Sequence, residues 1–539
     1  MTDVASAARH VPAPVPVQLV GIRPLLRLAL RRDRIMMAVW VAAVAGIVTS
    51  GTGSIEKFYG TPEKRADLVQ SLTTNGSLRA MYGPAFGDSL GAIVAWRFAG
   101  FAAVLAAVMS LIIVIRHTRE EEETGRQELI SSAMVGRRAP LTAALLAALV
   151  ANTALALLVT AGLAGPTGSA SGALAVGLTV AATGMLFAST AAIVAQLTES
   201  ARFAKGMTAG VLGAAFVLRA AGDSATNDGS SVLTWLSPLG WAENVRPYAG
   251  ERWWALLLIG AAVLVQGVVA YTLAGRRDVG MSFLPTRPGP ASGSVATAGG
   301  LARRLQRGSV LGWSAGFGLA GLVFGGMVEG AADLVGGNEQ AAAIFERMGG
   351  QTGMSQAFLA SMVGMFGMVA ALYVVASVLR LHAEETSQRA EPVLANAVGR
   401  LRWAADHLAI AFGGAALIML VAGLGLAAGH GRELVPTLAA SLAQLPAIWL
   451  LGGLAVLLYG ALPRAAVAAW AVAGLALALG WIGPALELPR SVMNLSPFSH
   501  LPKLPGTEME WTPRLLMTLG AVALVGAGLA GLRRRDMLT

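Results

Sequence analysis

The 539-residue chain is 55% apolar and only 13% charged, about half the ~25% charged share of an ordinary soluble domain. With a mean hydropathy of +0.64, it exposes more apolar surface than aqueous cores can hide, which excludes a string of soluble domains and predicts a polytopic membrane protein. The absence of cysteine excludes disulfides, thiol nucleophiles and cysteine-ligated metals, and the formal charge of +10 has to be read by position.

Residues 1–16 read as a flexible N-terminal tail, with no apolar core of the signal-peptide kind. Val17–Arg34 follows as an amphipathic helix. Its leucines, Leu25, Leu26, Leu28 and Leu30, alternate with Arg27, Arg31, Arg32 and Arg34, a pattern suited to a membrane interface. Twelve apolar stretches then approach the ~20 residues a membrane-spanning helix needs: Ile35–Ser54, Arg97–Ile115, Ala139–Leu163, Gly172–Leu197, Ala204–Leu218, Trp253–Leu273, Val310–Gly330, Ala357–Leu379, Trp403–Leu426, Pro436–Tyr459, Pro463–Leu486 and Leu515–Gly531. Ala204–Leu218 is short for a span, and without it the C-terminus changes side. Short helices such as Pro62–Leu72 and Asn338–Met348 are expected in the segments 54–91 and 331–356.

Alternating sides from a cytoplasmic N-terminus put the arginine clusters Arg23 to Arg34, Arg116 to Arg138, Arg276 to Arg307, Arg380 to Arg402 and Arg533 to Arg535 all on one face. That is the positive-inside pattern. Both termini are therefore expected in the cytoplasm, and the basicity reads as topology, with no nucleic-acid partner.

The chain also repeats itself. Glu122-Glu123-Thr124-Gly125-Arg126-Gln127-Glu128 followed by Ala133-Met134-Val135-Gly136-Arg137 is echoed by Glu384-Glu385-Thr386-Ser387-Gln388-Arg389-Ala390-Glu391 and Asn396-Ala397-Val398-Gly399-Arg400. The register is constant from Arg126/Arg389 to Arg137/Arg400. Leu236-Ser237-Pro238 recurs as Leu495-Ser496-Pro497, and Arg276-Arg277-Asp278 as Arg534-Arg535-Asp536. The amphipathic lead-in recurs as Leu301–Arg307. The expected fold is all-α: a first six-span half over 17–281, a Pro/Gly/Ser-rich cytoplasmic linker over 282–300, and a second six-span half over 301–539. Each half is preceded by an interfacial helix, and a pseudo-twofold axis lies along the membrane normal.

Little catalytic chemistry is present. No G-x-x-x-x-G-K-[ST] loop occurs, and lysine stands only at Lys57, Lys64, Lys205 and Lys503, so the chain has no phosphate-cradling loop of that form. No histidine spacing suggests a metal. Gly312-Trp313-Ser314-Ala315-Gly316 imitates a nucleophile elbow but lies inside an apolar helix. Gly316–Gly321 and Gly526–Gly531 match a dinucleotide fingerprint without a preceding strand, and close helix packing explains them better. No Asp or Glu occupies the middle third of a span, which counts against ion coupling. Arg97 is expected to snorkel to the interface. The buried neutral polar residues Asn152, Thr153, Gln266 and Gln444 fit either interhelical hydrogen bonding or a substrate path.

The positive signal is the acidic run Glu120, Glu121, Glu122 and Glu123 with Arg126 and Glu128, which the positive-inside rule does not explain. A short loop carrying both charge signs suits docking into a complementary groove, against the plainer reading of a self-paired, solvated loop. Its recurrence as Glu384, Glu385, Arg389 and Glu391 favours docking at two places.

These repeated loops, the amphipathic lead-ins and the Leu-Ser-Pro segments resemble the fused permease subunits of ATP-binding-cassette exporters, specifically the actinobacterial polyketide-antibiotic and multidrug exporter group. The resemblance implies the type V exporter fold in a bacterial plasma membrane. It also implies a lipophilic small-molecule substrate and two copies of a separate ATPase subunit, which carries ATP and Mg while this chain binds no cofactor. By the same resemblance, the residues from Glu122 to Glu128 and from Glu384 to Glu391 form two coupling regions. In the second, Gly125 has no glycine counterpart and Pro392 replaces Leu129, where it would cut a helix short. Charge reversal at Glu122 and Glu123 is therefore expected to impair export more than reversal at Glu384 and Glu385. The alternative is an ion-coupled twelve-span secondary drug carrier, although the G-x-x-x-D-R-x-G-R loop usual in that class lacks its Asp-Arg core here. A membrane scaffold without transport is a third reading.

Overall fold

In hydrocarbon every backbone N–H and C=O must be satisfied within the protein, so an apolar chain of this composition resolves into helices. The computed structural model describes residues 17–131, 135–278, 280–284, 293, 295–328, 354–481, 489–505, 507 and 509–537. Among these there is no strand. Eleven helices are long and apolar enough to cross a membrane. The N-terminal tail, residues 285–292 and 294 of the 282–300 linker, and the Asn338–Met348 helix lie outside the described residues.

The difference from the expected twelve is instructive. The doubtful Ala204–Leu218 stretch lies within a full 25-residue helix, Ala201–Ala225, because polar residues at both ends extend it. The twelfth expected stretch, Pro463–Leu486, is described only in part: Pro463 opens a separate 3-10 turn, Pro463–Ala465, and a helix follows from Ala468 to Trp481, where the described residues of the stretch end.

By its internal contacts the chain divides into two units, Met1–Pro288 and Gly289–Thr539. In the first unit the helix Ala170–Leu197 is the packing centre, with Ala139–Thr167, Leu90–Glu123 and Trp253–Arg276 against it. Its buried face is small-residued, with Ala173, Ala188, Ala191 and Ala195 all inaccessible, so neighbouring helices approach closely. Trp253–Arg276 turns Leu257, Leu264 and Val268 outward, as a lipid-facing helix does. In the second unit Met354–Thr386 packs against Leu434–Ala461 and Arg400–His430, while Ala298–Gly326 lies along Arg400–His430. Glycines form this last seam: a Cβ on Gly325 would run into the carbonyl of Leu426, and one on Gly429 into that of Leu322. Of the glycines that imitate a dinucleotide fingerprint, Gly321 packs the same way against Ala422 and Gly528 against Val456, while Gly316 and Gly526 face open space.

The lead-in helix behaves differently in the two units. In the first, Ile22–Arg32 stops at Asp33 before Arg34–Phe58 begins. Asp33 is fully buried, receiving Arg116 Nη1 at 2.9 Å and His117 Nε2 at 2.7 Å. In the second, the expected separate helix Leu301–Arg307 is continuous with the span as Ala298–Gly326, since no buried acid interrupts it. At the other end of the first unit, Pro62–Thr74 forms, capped by Thr61, and Gly76–Tyr82 follows it. Arg97, expected to snorkel, sits in a π-helical turn, Ala95–Ala99, with its guanidinium 4.1 Å from the Tyr82 ring centre.

Candidate functional site

The acidic run continues the Leu90–Glu123 helix past its apolar part. One turn at His117–Thr118 aims Arg119–Glu123 back into the unit. Most of its charges are spent inside the unit. Glu120 takes Lys205 Nζ at 2.8 Å. Glu121, buried, pairs with Arg32 and with Arg126 Nε at 3.2 Å. Glu123 accepts the Ala201 backbone N–H at 2.9 Å, closing the start of the 201–225 helix.

Glu122 is the hub. Arg277 grips it with both guanidinium nitrogens, at 2.6 and 2.8 Å, and Arg119 adds a third bond at 2.8 Å. Arg277 Nε also donates to Gln196 Oε1 at 2.7 Å, at the end of the Ala170–Leu197 helix. Arg137 donates to the Arg277 carbonyl. A bidentate guanidinium–carboxylate pair fixes direction as well as distance, so four chain segments are locked at one point.

The second unit builds the same clamp from its own residues. Arg535 grips Glu385 at 2.6 and 2.8 Å. Tyr459, near the end of its helix, donates its hydroxyl to Glu385 Oε2 at 2.6 Å, and its ring lies 5.1 Å from the Arg535 guanidinium carbon. Arg400 donates to the Arg535 carbonyl at 2.9 Å, as Arg137 does to Arg277. The sequence echo pairs Glu123 with Glu385, yet the carboxylate doing the same work in the first unit is Glu122, one residue earlier. Glu384 turns to Arg380 at 3.3 Å.

The loops' irregularities also correspond. Gly125 has φ +71°, and Gln388, equally one residue before the aligned arginine, has φ +58°. The missing glycine is thus replaced by a strained glutamine in the same left-handed conformation. Pro392 does not end a helix. It stands in the first turn of Glu391–Leu394, where its absent N–H has no intrahelical partner to lose. Of the expected docking residues, Glu123, Arg126, Glu128, Arg389 and Glu391 are exposed.

The four polar residues expected at depth are not brought together. Asn152 Nδ2 donates to Ser110 Oγ at 2.8 Å and to the Ala148 carbonyl. Gln266 Oε1 accepts from Ser189 at 2.6 Å and from Thr190 at 3.1 Å. Gln444 lies against Gly367 of the neighbouring helix. Thr153 is exposed. Asn152 and Gln266 thus hydrogen-bond between helices.

Sequence reasoning missed Arg277, Arg535, Gln196 and Tyr459 as members of the clamps. The signal was present in the repeated Arg-Arg-Asp, which reads as a span terminus until its second arginine is seen to reach back to the acidic loop.

A sequence model described as the C-terminal domain of the multidrug efflux system permease Rv1217c matches residues 295–533. Over 527 residues the chain is 43% identical to the multidrug efflux system permease protein Rv1217c of Mycobacterium tuberculosis (strain ATCC 25618 / H37Rv), covering 96% of this chain and 95% of that protein. With eleven apolar helices of membrane-spanning length among the described residues and a relative matched almost end to end, this multi-pass membrane protein belongs to the family of multidrug efflux system permeases.

Proposed function

We propose that this chain is the membrane-spanning permease of an ATP-driven exporter of lipophilic, antibiotic-like compounds. Two copies of a separate ATP-binding subunit dock on its loops 119–131 and 384–394, and both of its termini lie in the cytoplasm. ATP and Mg belong to the partner, and this chain hydrolyses nothing. The observation that supports coupling is the clamp made in each unit. A displacement of the 119–131 loop pulls on Glu122, and through Arg277 on the ends of the Ala170–Leu197 and Trp253–Arg276 helices. Glu385 and Arg535 link the corresponding segments of the second unit. The buried acids hold the loop to the unit, and the exposed Arg126, Glu128, Arg389 and Glu391 meet the partner. Like-charge or unpaired groups across such a surface would choose the partner as much as bind it.

The native chain lacks cysteine, so single-cysteine variants report docking directly. Glu128→Cys and Glu391→Cys should each cross-link to the ATP-binding subunit in native membranes, while Asp88→Cys, exposed at the opposite end of the first unit, should not. Absence of both cross-links, or an equal one from Asp88→Cys, would reject the docking surface.

A further inference from the structure

At the end of the first unit away from the acidic loops, three charged side chains meet beneath a cavity. Arg219 Nη1 lies 3.3 Å from Asp223 Oδ2 and 3.1 Å from Glu243 Oε2. Its Nη2 is spent on the carbonyls of Ala80 and Met81, at 2.9 and 3.0 Å. One guanidinium thus faces two carboxyls standing side by side. Asp223 Oδ1 takes the Thr234 hydroxyl at 2.7 Å, but Asp223 Oδ2 and Glu243 Oε1 are buried without a hydrogen bond. Two acceptors side by side are satisfied by a single proton between them, and like charges there cannot both persist. Burial, and then the adjacent Asp223, push the Glu243 carboxyl well above the usual carboxylate range.

The cavity above is walled by Tyr82, Phe86, Trp96, Phe101 and Phe216, and Arg219, Glu243 and Arg246 also line it. Arg246 is held in a left-handed conformation, φ +53°, which an arginine adopts only when its surroundings impose it. Its guanidinium lies 4.1 Å over the Phe86 ring centre and its Nη2 donates to the Asp228 carbonyl, yet its Nε is buried with no acceptor. The other charges around the pair are accounted for. Arg79 is committed to backbone carbonyls, Asp223 O among them at 3.0 Å, Arg97 lies over Tyr82, and the Asp228 carboxylate is held low by Ser230. With one proton on the acid pair, Arg219 balances the remaining negative charge; around Arg246 the Asp228 carboxylate is offset by Arg252, so one positive charge is left, and the Arg246 guanidinium faces the aromatic lining.

We propose that this cavity binds a lipophilic organic anion, its carboxylate received by Arg246 and its apolar body by the aromatic walls, and that the proton shared by Asp223 and Glu243 keeps the site anion-selective. Losing that proton to solvent places a second negative charge against the ligand and releases it. In the orientation proposed above the cavity lies on the exit side, so the inference deepens that reading by naming a substrate class, while binding itself needs neither ATP nor the partner.

The test uses the full chain in lipid nanodiscs without nucleotide and three probes of one shape: 1-pyrenebutanoate, its uncharged methyl ester, and 4-(1-pyrenyl)butylamine. Titration calorimetry should find the acid bound at least tenfold tighter than the ester at pH 6. That preference should shrink as pH rises to 9 in the wild type and persist to pH 9 in Glu243→Gln. Arg246→Gln should abolish it. An ammonium probe bound more tightly than the carboxylate, or a wild-type preference that is indifferent to pH, would overturn the proposal, and the wild-type comparison decides even where a variant fails to fold. Failure here leaves the docking of an ATPase untouched, since the cross-linking experiment reads the other end of the unit.

Discussion

The clamps predict an asymmetry in stability between the two units. Glu385 has 1% of its side chain exposed and its partner Arg535 15%, so Arg535→Gln leaves a buried carboxylate with the Tyr459 hydroxyl in place of a bidentate guanidinium. Removing one member of a buried pair costs about 3–5 kcal/mol, and the retained Tyr459 bond lowers this to about 2–4 kcal/mol. Glu122 is 12% exposed and keeps Arg119 when Arg277 is lost, so Arg277→Gln should cost about 1–2 kcal/mol, less than a fully uncompensated charge. For a unit of this size, ~2–4 °C per kcal/mol turns these into falls of about 4–16 °C and about 2–8 °C in the melting temperature of the detergent-purified chain. Intrinsic tryptophan fluorescence reads that directly. Glu385→Gln combined with Arg535→Gln should recover much of the loss, because two neutral groups leave no orphaned charge. An Arg277→Gln variant that melts as low as Arg535→Gln, or a double variant that melts below the single, would refute the reasoning.

Three further outcomes follow from named contacts. Gln388→Gly should raise stability by about 0.5–1 kcal/mol, the relief of the left-handed strain net of glycine's greater chain entropy, with Gly125→Gln lowering it; chemical denaturation of the two variants compares them. Gly429→Leu has no room beside the Leu322 carbonyl, so it should destabilise the second unit by about 1–3 kcal/mol or more, seen as lost expression and a lower melting temperature, whereas Gly526→Leu, with nothing near its Cβ position, should be tolerated. Glu243 is pushed up in the folded chain, so its contribution is full below the ordinary glutamate value of ~4.3 and is lost as pH rises through the folded value. The wild-type melting temperature should therefore fall with rising pH over that window, and Glu243→Gln should flatten the fall.

Much of the architecture was legible because membrane burial imposes a coarse code. Runs such as Ala139–Leu163 carry enough apolar length to declare a span, and the repeated loops announce themselves by charge. Failures occurred where local polarity and helix length part company. Arg219 and Asp223 made Ala204–Leu218 look short, although Arg219 pairs with both Asp223 and Glu243 and so lets the helix continue. Pro463 displaced the start of the next helix, opening a 3-10 turn where hydropathy gives no warning. At the loops the sequence showed which charges recur but not which way they point. Glu121, Glu122 and Glu385 turn inward, and that direction comes from arginines more than 80 residues away in the chain, Arg32, Arg277 and Arg535. The cavity was invisible for the same reason: Tyr82, Trp96, Arg219 and Arg246 come from four segments with no shared motif.

Whether a separate ATPase drives this permease is tested most directly by purifying the tagged chain from its native membranes in mild detergent and determining subunit stoichiometry and ATPase activity. Two ATP-binding subunits per chain are expected, with hydrolysis that lipophilic substrate stimulates and that charge reversal at Glu128 and Glu391 uncouples. A solitary chain without ATPase activity that still moves drug on a proton gradient would contradict it.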